Sequence, residues 1–186
     1  MNIAPVAYRY ARSLMDLALE KGLLDGVHGD MRLVAATCAN SRELRSLLRS
    51  PVVKPDAKGR ILEQVFGGKV GAVTSTFMGI LVRKGREVLL PHVAEAFTEL
   101  YKQHKGIITV QVVSAAALDD KARAQVRSMA EERHPGRTID LQEQVDPALI
   151  GGLSIRIGDE QVDGTVSRRL ADLRREFSKN PYIPAI

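Results

Sequence analysis

The chain has 186 residues, of which 45% are hydrophobic and 26% are charged, and these fractions are typical of a folded globular protein. No apolar run reaches the ~20 residues that a membrane-spanning helix needs. The first 20 residues carry Arg9, Arg12 and Asp16 within their apolar stretch, so we expect no secretory signal. Cys38 is the only cysteine, which excludes an internal disulfide and a multi-cysteine metal site.

The net charge of +5 is unevenly distributed along the chain. Residues 1–105 carry 16 Lys and Arg against 10 Asp and Glu, whereas residues 106–186 carry 11 against 12. Such a difference suits different partners for the two parts. It also raises the alternative of a basic nucleic-acid-binding module. The basic residues are scattered, however, and aromatics are only 4% of the chain with no Trp, a poor basis for stacking bases.

Six successive segments of the first 105 residues have apolar positions three and four apart, which predicts six helices joined by short links. Gly22 and Gly85 are expected to end the first and fifth helices, and Pro55 to open the fourth. The apolar positions are, helix by helix, Ala7, Tyr10, Leu14 and Leu17; Leu24, Val27, Met31, Val34 and Cys38; Leu44, Leu47 and Leu48; Ile61, Leu62, Val65 and Phe66; Val73, Phe77, Ile80 and Leu81; and Leu90, Val93, Phe97 and Leu100.

After Gly106 the pattern changes to that of a small α/β domain, residues 106–186. Strands are predicted from Ile107 to Val113, around Ile139, Leu141 and Val145, and from Leu153 to Ile157, with a short return at Val162. One helix with the face Ala122, Val126 and Met129 follows a cap at Asp119 or Asp120, and a last one carries Val166, Leu170, Leu173 and Phe177. The tail from Asn180 to Ile186 is expected to be loose or to dock on a partner. The fold class is therefore α+β, with a six-helix bundle over residues 1–105.

No catalytic, cofactor-binding or metal-binding residue is predicted. The histidines, His28, His92, His104 and His134, form no HExxH pair and are expected at the surface. Cys38 occupies an apolar helical position and is expected to be a buried, inert thiol. The Gly-rich stretch from Gly67 to Gly71 lacks the Gly-Lys-Ser/Thr of a phosphate loop, so a helix-breaking link is favoured. An enzyme would need a pocket of converging titratable groups that this sequence does not display.

The segment from Asp146 to Val166 has the most distinctive pattern in the chain. It predicts a Pro-directed turn, a double glycine (Gly151 and Gly152) where two backbone segments pass closely, a strand, a tight turn and a capped helix. Asp163 can accept a hydrogen bond from the N–H of Thr165 or Val166 and hold the corner between strand and helix.

This segment resembles the C-terminal signature of the δ subunit of the F-type ATP synthase, the family of the mitochondrial oligomycin-sensitivity-conferring protein. Thr165 stands where the family usually has Ser, which preserves the hydroxyl. Four further segments resemble the family in the same order: Val6 to Leu14; Leu48, Pro51, Lys58, Ile61 and Leu62; Phe77 through Arg86 to Phe97, with Thr76 where Asn is frequent; and Val110 to Leu118.

The resemblance implies a non-catalytic stator protein, without cofactor or nucleic acid, that ties the catalytic head to the peripheral stalk so that proton flow is coupled to ATP synthesis. The helical domain would receive the N-terminal helix of an α subunit between its first and fifth helices. The small domain would contact the C-terminal ends of the b subunits. The protein would be peripheral on the cytoplasmic side of a bacterial inner membrane, attached only through the complex. Residues expected to line the groove are Ala7, Tyr10, Ser13, Leu14, Thr76 and Ile80, for which ordinary bundle core is the alternative.

Overall fold

The computed structural model describes residues 3–158 and 160–178. It forms two compact units that divide between Lys105 and Gly106, called here the helical unit and the sheet unit. The described residues contain eight α-helices and one four-stranded sheet, which confirms the predicted α+β class. The predicted loose tail from Asn180 to Ile186 lies outside the described residues.

The helical unit consists of six α-helices and one 3₁₀ turn. Gly22 and Gly85 adopt left-handed backbone angles, with φ of 65° and 63°, and follow α1 and α5 as predicted. Pro55 is the first residue of α4, where its missing N–H leaves no bond unmade. The 3₁₀ turn before α6 was not predicted. The helices are α1 (Ile3–Glu20), α2 (Leu24–Asn40), α3 (Arg42–Arg49), α4 (Pro55–Phe66), α5 (Ala72–Arg83) and α6 (Leu90–Lys105), and the 3₁₀ turn is Glu87–Leu89.

The core of the helical unit lies around α6, which packs mainly on α1 and α2, while α5 packs on α4. The largest side chains that are completely buried come from every one of the six helices, so the core is continuous across the unit. They include Leu14, Met31, Leu48, Phe66, Leu81 and Phe97. Each contributes about 1.5–3 kcal/mol of transfer free energy relative to an exposed side chain.

One ion pair lies inside this core. Lys58 of α4 donates from Nζ to Glu87 Oε1 at 2.6 Å and to the Leu48 carbonyl at 3.0 Å. The two charged side chains are only 4% and 7% exposed. The pair therefore joins α4 to the end of α3 and to the 3₁₀ turn. Glu87 Oε2 has no hydrogen-bond partner in the described part of the chain, so the carboxylate depends on Lys58.

We predict that Lys58→Met lowers the free energy of unfolding by about 3–5 kcal/mol, because it leaves the Glu87 carboxylate buried without its counter-charge. Urea unfolding followed by helical circular dichroism measures the loss. The matched control is Arg60→Met on the exposed side of the same helix, expected to change stability by less than about 0.5 kcal/mol. Lys58→Met/Glu87→Leu should recover most of the loss. Equal losses for Lys58→Met and Arg60→Met would contradict the role of the pair.

The sheet unit has the strand order β2-β1-β3-β4. β1 and β2 are parallel and connected through α7, whereas the β1–β3 and β3–β4 pairs are antiparallel. A 3₁₀ turn, Pro147–Leu149, precedes β3. The elements are β1 (Ile107–Ser114), α7 (Asp120–Arg133), β2 (Thr138–Val145), β3 (Leu153–Ile157), β4 (Glu160–Asp163) and α8 (Val166–Ser178).

One face of the sheet carries the core of this unit. Val110 of β1 pairs with Leu141 of β2 and with Ile157 of β3, so alternate apolar residues share a face. Val126 and Ala130 of α7 belong to the same buried cluster. The predicted α7 face was partly wrong. Met129 is 37% exposed, and Ala130 is buried in its place, because a helix that packs through Val126 turns its i+4 neighbour to the sheet.

The cap of α7 is as predicted. Asp119 is the residue before the helix, and its Oδ1 accepts from the Ala122 backbone N–H at 2.8 Å. Arg123 then joins α7 to β2 through Glu143, donating to both carboxylate oxygens. These bonds fix the helix along the β2 side of the sheet.

The double glycine marks a close crossing of backbone. Gly152 has φ of 79°, and a Cβ there would lie 2.5 Å from the Gly164 carbonyl oxygen. Gly164 in turn donates its N–H to the Leu153 carbonyl at 3.0 Å. Only a residue without a side chain can occupy position 152, because both its backbone angle and its neighbour exclude a Cβ.

The start of α8 is held by the predicted Asp163. Its Oδ1 accepts from the Thr165 N–H at 3.0 Å, the first of the two predicted alternatives, while the Val166 N–H donates to the Gly151 carbonyl. Thr165 is buried, and its Oγ1 accepts from the Arg168 N–H at 3.2 Å. The hydroxyl at position 165 is therefore the N-terminal cap of α8, a role that Ser or Thr can perform.

We predict that Gly152→Ala destabilises the sheet unit more than Gly158→Ala. Gly158 also has a positive φ, of 57°, but nothing lies within 4 Å of its added Cβ, so its cost is the conformational one of about 1–2 kcal/mol. Gly152→Ala adds the steric conflict, worth about 1–3 kcal/mol more. Amide hydrogen exchange of β1 and β3 measures both variants. An equal effect at the two positions would rule out the close crossing.

Candidate protein–protein interface

The structure divides the residues predicted on α1 into core and surface. Ala7 and Leu14 are each 1% exposed and belong to the core of the helical unit, so they hold α1 in place and offer no free surface. Tyr10 is half-buried and Ser13 is exposed. Leu17, one turn beyond Ser13, is also exposed.

We call Val6, Tyr10, Ser13 and Leu17 the α1 flank. Their spacings of four, three and four residues place them along one side of the helix. Val6 and Tyr10 pack partly against the core, whereas Ser13 and Leu17 reach the surface. The α1 flank therefore runs from side chains that pack partly against the core to side chains that are exposed at the surface.

The two predicted residues of α5, Thr76 and Ile80, are both at the surface, with Ile80 38% exposed. With half-buried Val73 they form what we call the α5 flank. The opposite side of α5 faces α4, since Ser75, Gly79 and Val82 line a cavity with residues of that helix. The α5 flank therefore belongs to the side of α5 that α4 leaves uncovered.

The aliphatic hydroxyl groups on the two flanks, those of Ser13 and Thr76, are already hydrogen-bonded within their own helices. Ser13 Oγ donates to the Arg9 carbonyl at 3.0 Å, and Thr76 Oγ1 donates to the Ala72 carbonyl at 2.8 Å. A buried donor without a partner costs about 1–3 kcal/mol. An apolar surface can therefore cover both flanks without leaving either donor unpaired.

The sequence interpretation missed the residue that positions α5. Asp30 of α2 accepts from the Gly71 N–H at 2.9 Å and from Thr74 Oγ1 at 2.6 Å. Gly71 precedes α5 and has no side chain to cap it, so a carboxylate from another helix occupies the positive end of the α5 dipole. The glycine before a helix start was the only local signal of this contact.

A second apolar surface lies on α8. Val166, Leu170, Leu173 and Phe177, which we call the α8 stripe, are all exposed, and Phe177 is 84% exposed. No described residue of α8 is buried. Only the start of the helix is anchored, through Ser167 Oγ, which donates to the Leu149 carbonyl at 3.1 Å.

The arginines of α8 are solvated: Arg168, Arg169, Arg174 and Arg175 are all exposed. Asp172 pairs with Arg168 at 3.6 Å and with Arg175 at 3.3 Å. Such exposed pairs stabilise the helix weakly, by about 0.3–0.5 kcal/mol each. The helix is thus amphipathic, with an apolar side that lacks a partner in the described residues.

The thiol prediction is confirmed, and three of the four histidine predictions are wrong. Cys38 is buried, and burial raises the pKa of its thiol to about 11, so the reactive thiolate is scarce at neutral pH. His28, His92 and His134 are half-buried rather than solvated. His28 and His134 each have a buried Nε2 that lacks a partner in the part of the chain described. His28 stacks on Tyr101 with ring centroids 3.7 Å apart, and burial lowers its pKa.

Among the residues that the structure describes, no cluster of His, Cys, Asp and Glu side chains could hold a metal ion. Within the same residues, no helix has the length and hydropathy to cross a membrane. The surfaces suited to recognition are the α1 and α5 flanks and the α8 stripe.

Comparisons with known proteins agree over nearly the whole chain. A profile described as "ATP synthase delta (OSCP) subunit" matches residues 6–177. A protein named "ATP synthase subunit delta" from Chlorobium phaeobacteroides is 38% identical over 180 residues, which cover 96% of this chain and 99% of that protein. The protein of the same name from Cytophaga hutchinsonii is 32% identical over 179 residues, 96% of this chain and 97% of the relative.

The fold agrees as well. One chain of the "Toxoplasma gondii mitochondrial ATP synthase hexamer", determined by electron cryomicroscopy, superposes with a TM-score of 0.73 at 25% identity. The match covers 92% of this chain and 96% of that one. With sequence, profile and fold in agreement, the chain belongs to the ATP synthase delta (OSCP) family, whose members are structural rather than catalytic subunits.

Proposed function

We propose that this protein is the stator component that links the catalytic head of an F-type ATP synthase to its peripheral stalk, so that proton flow is coupled to ATP synthesis. It would act by adhesion at two surfaces, as a peripheral protein on the cytoplasmic side of a bacterial inner membrane, held there through the complex. The observation that carries the proposal is the pair of flanks on α1 and α5, which expose Leu17 and Ile80 and whose Ser13 and Thr76 hydroxyls are bonded within their own helices.

The first contact is with the N-terminal helix of an α subunit. An amphipathic helix binds a groove by burying its apolar face between two others, and the α1 and α5 flanks supply two apolar borders. A standard interface buries about 800 Å² per partner, slightly more than half of it apolar. Over both partners this is about 900 Å² of apolar surface, whose burial at ~25 cal/mol/Å² contributes about 20 kcal/mol of favourable free energy. Association costs about 4–15 kcal/mol. Adhesion of useful strength therefore needs no covalent chemistry.

We predict that Tyr10→Asp and Ile80→Asp each weaken binding of a peptide with the sequence of the α-chain N-terminal helix by at least about tenfold. A carboxylate in a desolvated apolar contact loses its hydration without gaining a partner. Isothermal titration calorimetry measures the affinity, and circular dichroism confirms that the variants are folded.

The matched control is Tyr8→Asp, which changes another tyrosine of α1. Tyr8 is 45% exposed and lies two positions from Tyr10, away from the α1 flank. It should bind the peptide as the unaltered protein does. Wild-type affinity for both flank variants would eliminate these flanks as the site for the α-chain helix.

The second contact is with the C-terminal ends of the b subunits, and the α8 stripe is our candidate for it. Its four apolar residues follow the spacing by which one helix packs on another, and its arginines leave a partly unneutralised basic side. The fitting partner is an amphipathic helix with acidic residues beside its apolar face. Basic charge on α8 would then steer the encounter while the stripe provides the affinity.

We predict that Leu173→Asp weakens binding of a fragment from the C-terminal end of the b chain by at least about tenfold while leaving the melting temperature unchanged, because Leu173 is 47% exposed and outside the core. Ala171→Asp, with the same added charge on the opposite side of α8, is the control. Surface plasmon resonance with immobilised fragment compares the two. If both variants bind alike, the stripe is not the site for the b chains.

The alternative of a nucleic-acid-binding module gains no support from the profile or from the relatives. A mobility-shift assay at moderate salt separates the two functions, since phosphate contacts would give a steep salt dependence.

A further inference from the structure

A cavity of about 230 Å³ lies in the helical unit, away from the α1 and α5 flanks. It is open to solvent on one side and is bordered by the end of α2, by α3, by the 3₁₀ turn and by the start of α6. Apolar groups of Cys38, Leu48 and Pro91 line its inner part. We call it the α3 cavity. Nothing in the proposed stator function uses it.

Cationic side chains stand at the edge of the α3 cavity. Arg45 and Arg49 are four residues apart on α3 and therefore project from the same side of that helix. Neither is in an ion pair with a described residue. Arg45 uses Nη1 to donate to the Ala39 carbonyl at 3.2 Å, which leaves most of its five N–H groups free for a ligand.

Two carboxylates lie near these arginines, and only one of them, Glu95, lines the cavity. Glu95 lines the cavity but is mostly exposed, and His92 Nδ1 lies 3.5 Å from its Oε2. Glu43 on α3 accepts from Ser41 Oγ at 3.1 Å. The lining of the cavity therefore has two arginines against one glutamate, while Cys38, Leu48 and Pro91 carry no charge.

We propose that the α3 cavity binds a small amphiphilic carboxylate, with its hydrocarbon chain against Cys38, Leu48 and Pro91 and its carboxylate at Arg45 and Arg49. The planar guanidinium pairs with a carboxylate through two parallel hydrogen bonds. The volume is below the ~300–1,000 Å³ of pockets for drug-sized ligands, so a single short chain fits and a nucleotide does not. An inorganic anion would leave the apolar interior unused.

The test is a titration of the full chain with octanoate, followed by ¹H–¹⁵N NMR. The expected shifts are at the amides of Cys38, Leu48, Arg49 and His92. Affinity should rise about fourfold for each CH₂ added between butyrate and octanoate, because each added group is removed from water. Octylamine, with the same chain and the opposite charge, should not produce these shifts.

Two sets of variants test separately how the arginine charges and the cavity volume contribute to octanoate binding. Arg45→Gln/Arg49→Gln should weaken octanoate binding by at least about tenfold, while Arg42→Gln, an exposed arginine of α3 that does not line the cavity, should leave it unchanged. Ala39→Leu, which adds side-chain volume at the cavity wall, should reduce binding without unfolding the chain. The proposal is overturned by octanoate shifts confined to the α8 stripe, by equal affinity of the double variant, by equal binding of octylamine, or by no shifts at all.

Discussion

The helices α1 and α5 must each pack one apolar face in the helical unit and leave a second apolar flank uncovered. On α1 the packed face contains Ala7 and Leu14, and the flank contains Tyr10 and Leu17. A helix with one wide apolar stripe can do both, because the residues at its centre are buried and those at its edge are not. The bundle is therefore complete without the flanks, and a partner helix bound there would add to a core that is already formed.

Flanks of this kind would bind a partner helix best if they were held in place. Two polar contacts between elements distant in the sequence hold the helices of this unit together. Asp30 holds the first turn of α5 to α2, and the Lys58–Glu87 pair joins α4 to the turn before α6. Each is a specific contact between elements that are far apart in the sequence. A preformed surface loses less conformational entropy when it binds a helix than a flexible one does.

The sequence pattern predicted the elements better than it predicted exposure. Spacings of three and four residues identified all six helices, and Asp119, Asp163 and Pro55 indicated where helices begin. Leu14 and Leu17 follow the same pattern, however, and one is buried while the other is exposed, since exposure depends on which helices become neighbours. The Asp30 and Lys58 contacts span 41 and 29 residues, so no local rule predicts them. The stacking of His28 on Tyr101 is missed for the same reason.

The sheet unit differs from the helical unit, because the helix that carries its exposed apolar surface is not packed into the core. Its helix α8 is fixed at one end by the crossing of Gly152 with Gly164 and by the Thr165 cap, while its apolar stripe has no cover in the described residues. An isolated helix of this length is marginal in water, so a partner helix on the stripe would stabilise α8 as it binds. The helical unit would thus offer a preformed surface to the head, and the sheet unit one that gains order from the stalk. Two such contacts on one chain would raise the effective concentration of each for its partner, so that interfaces of moderate strength could resist the torque of a rotor.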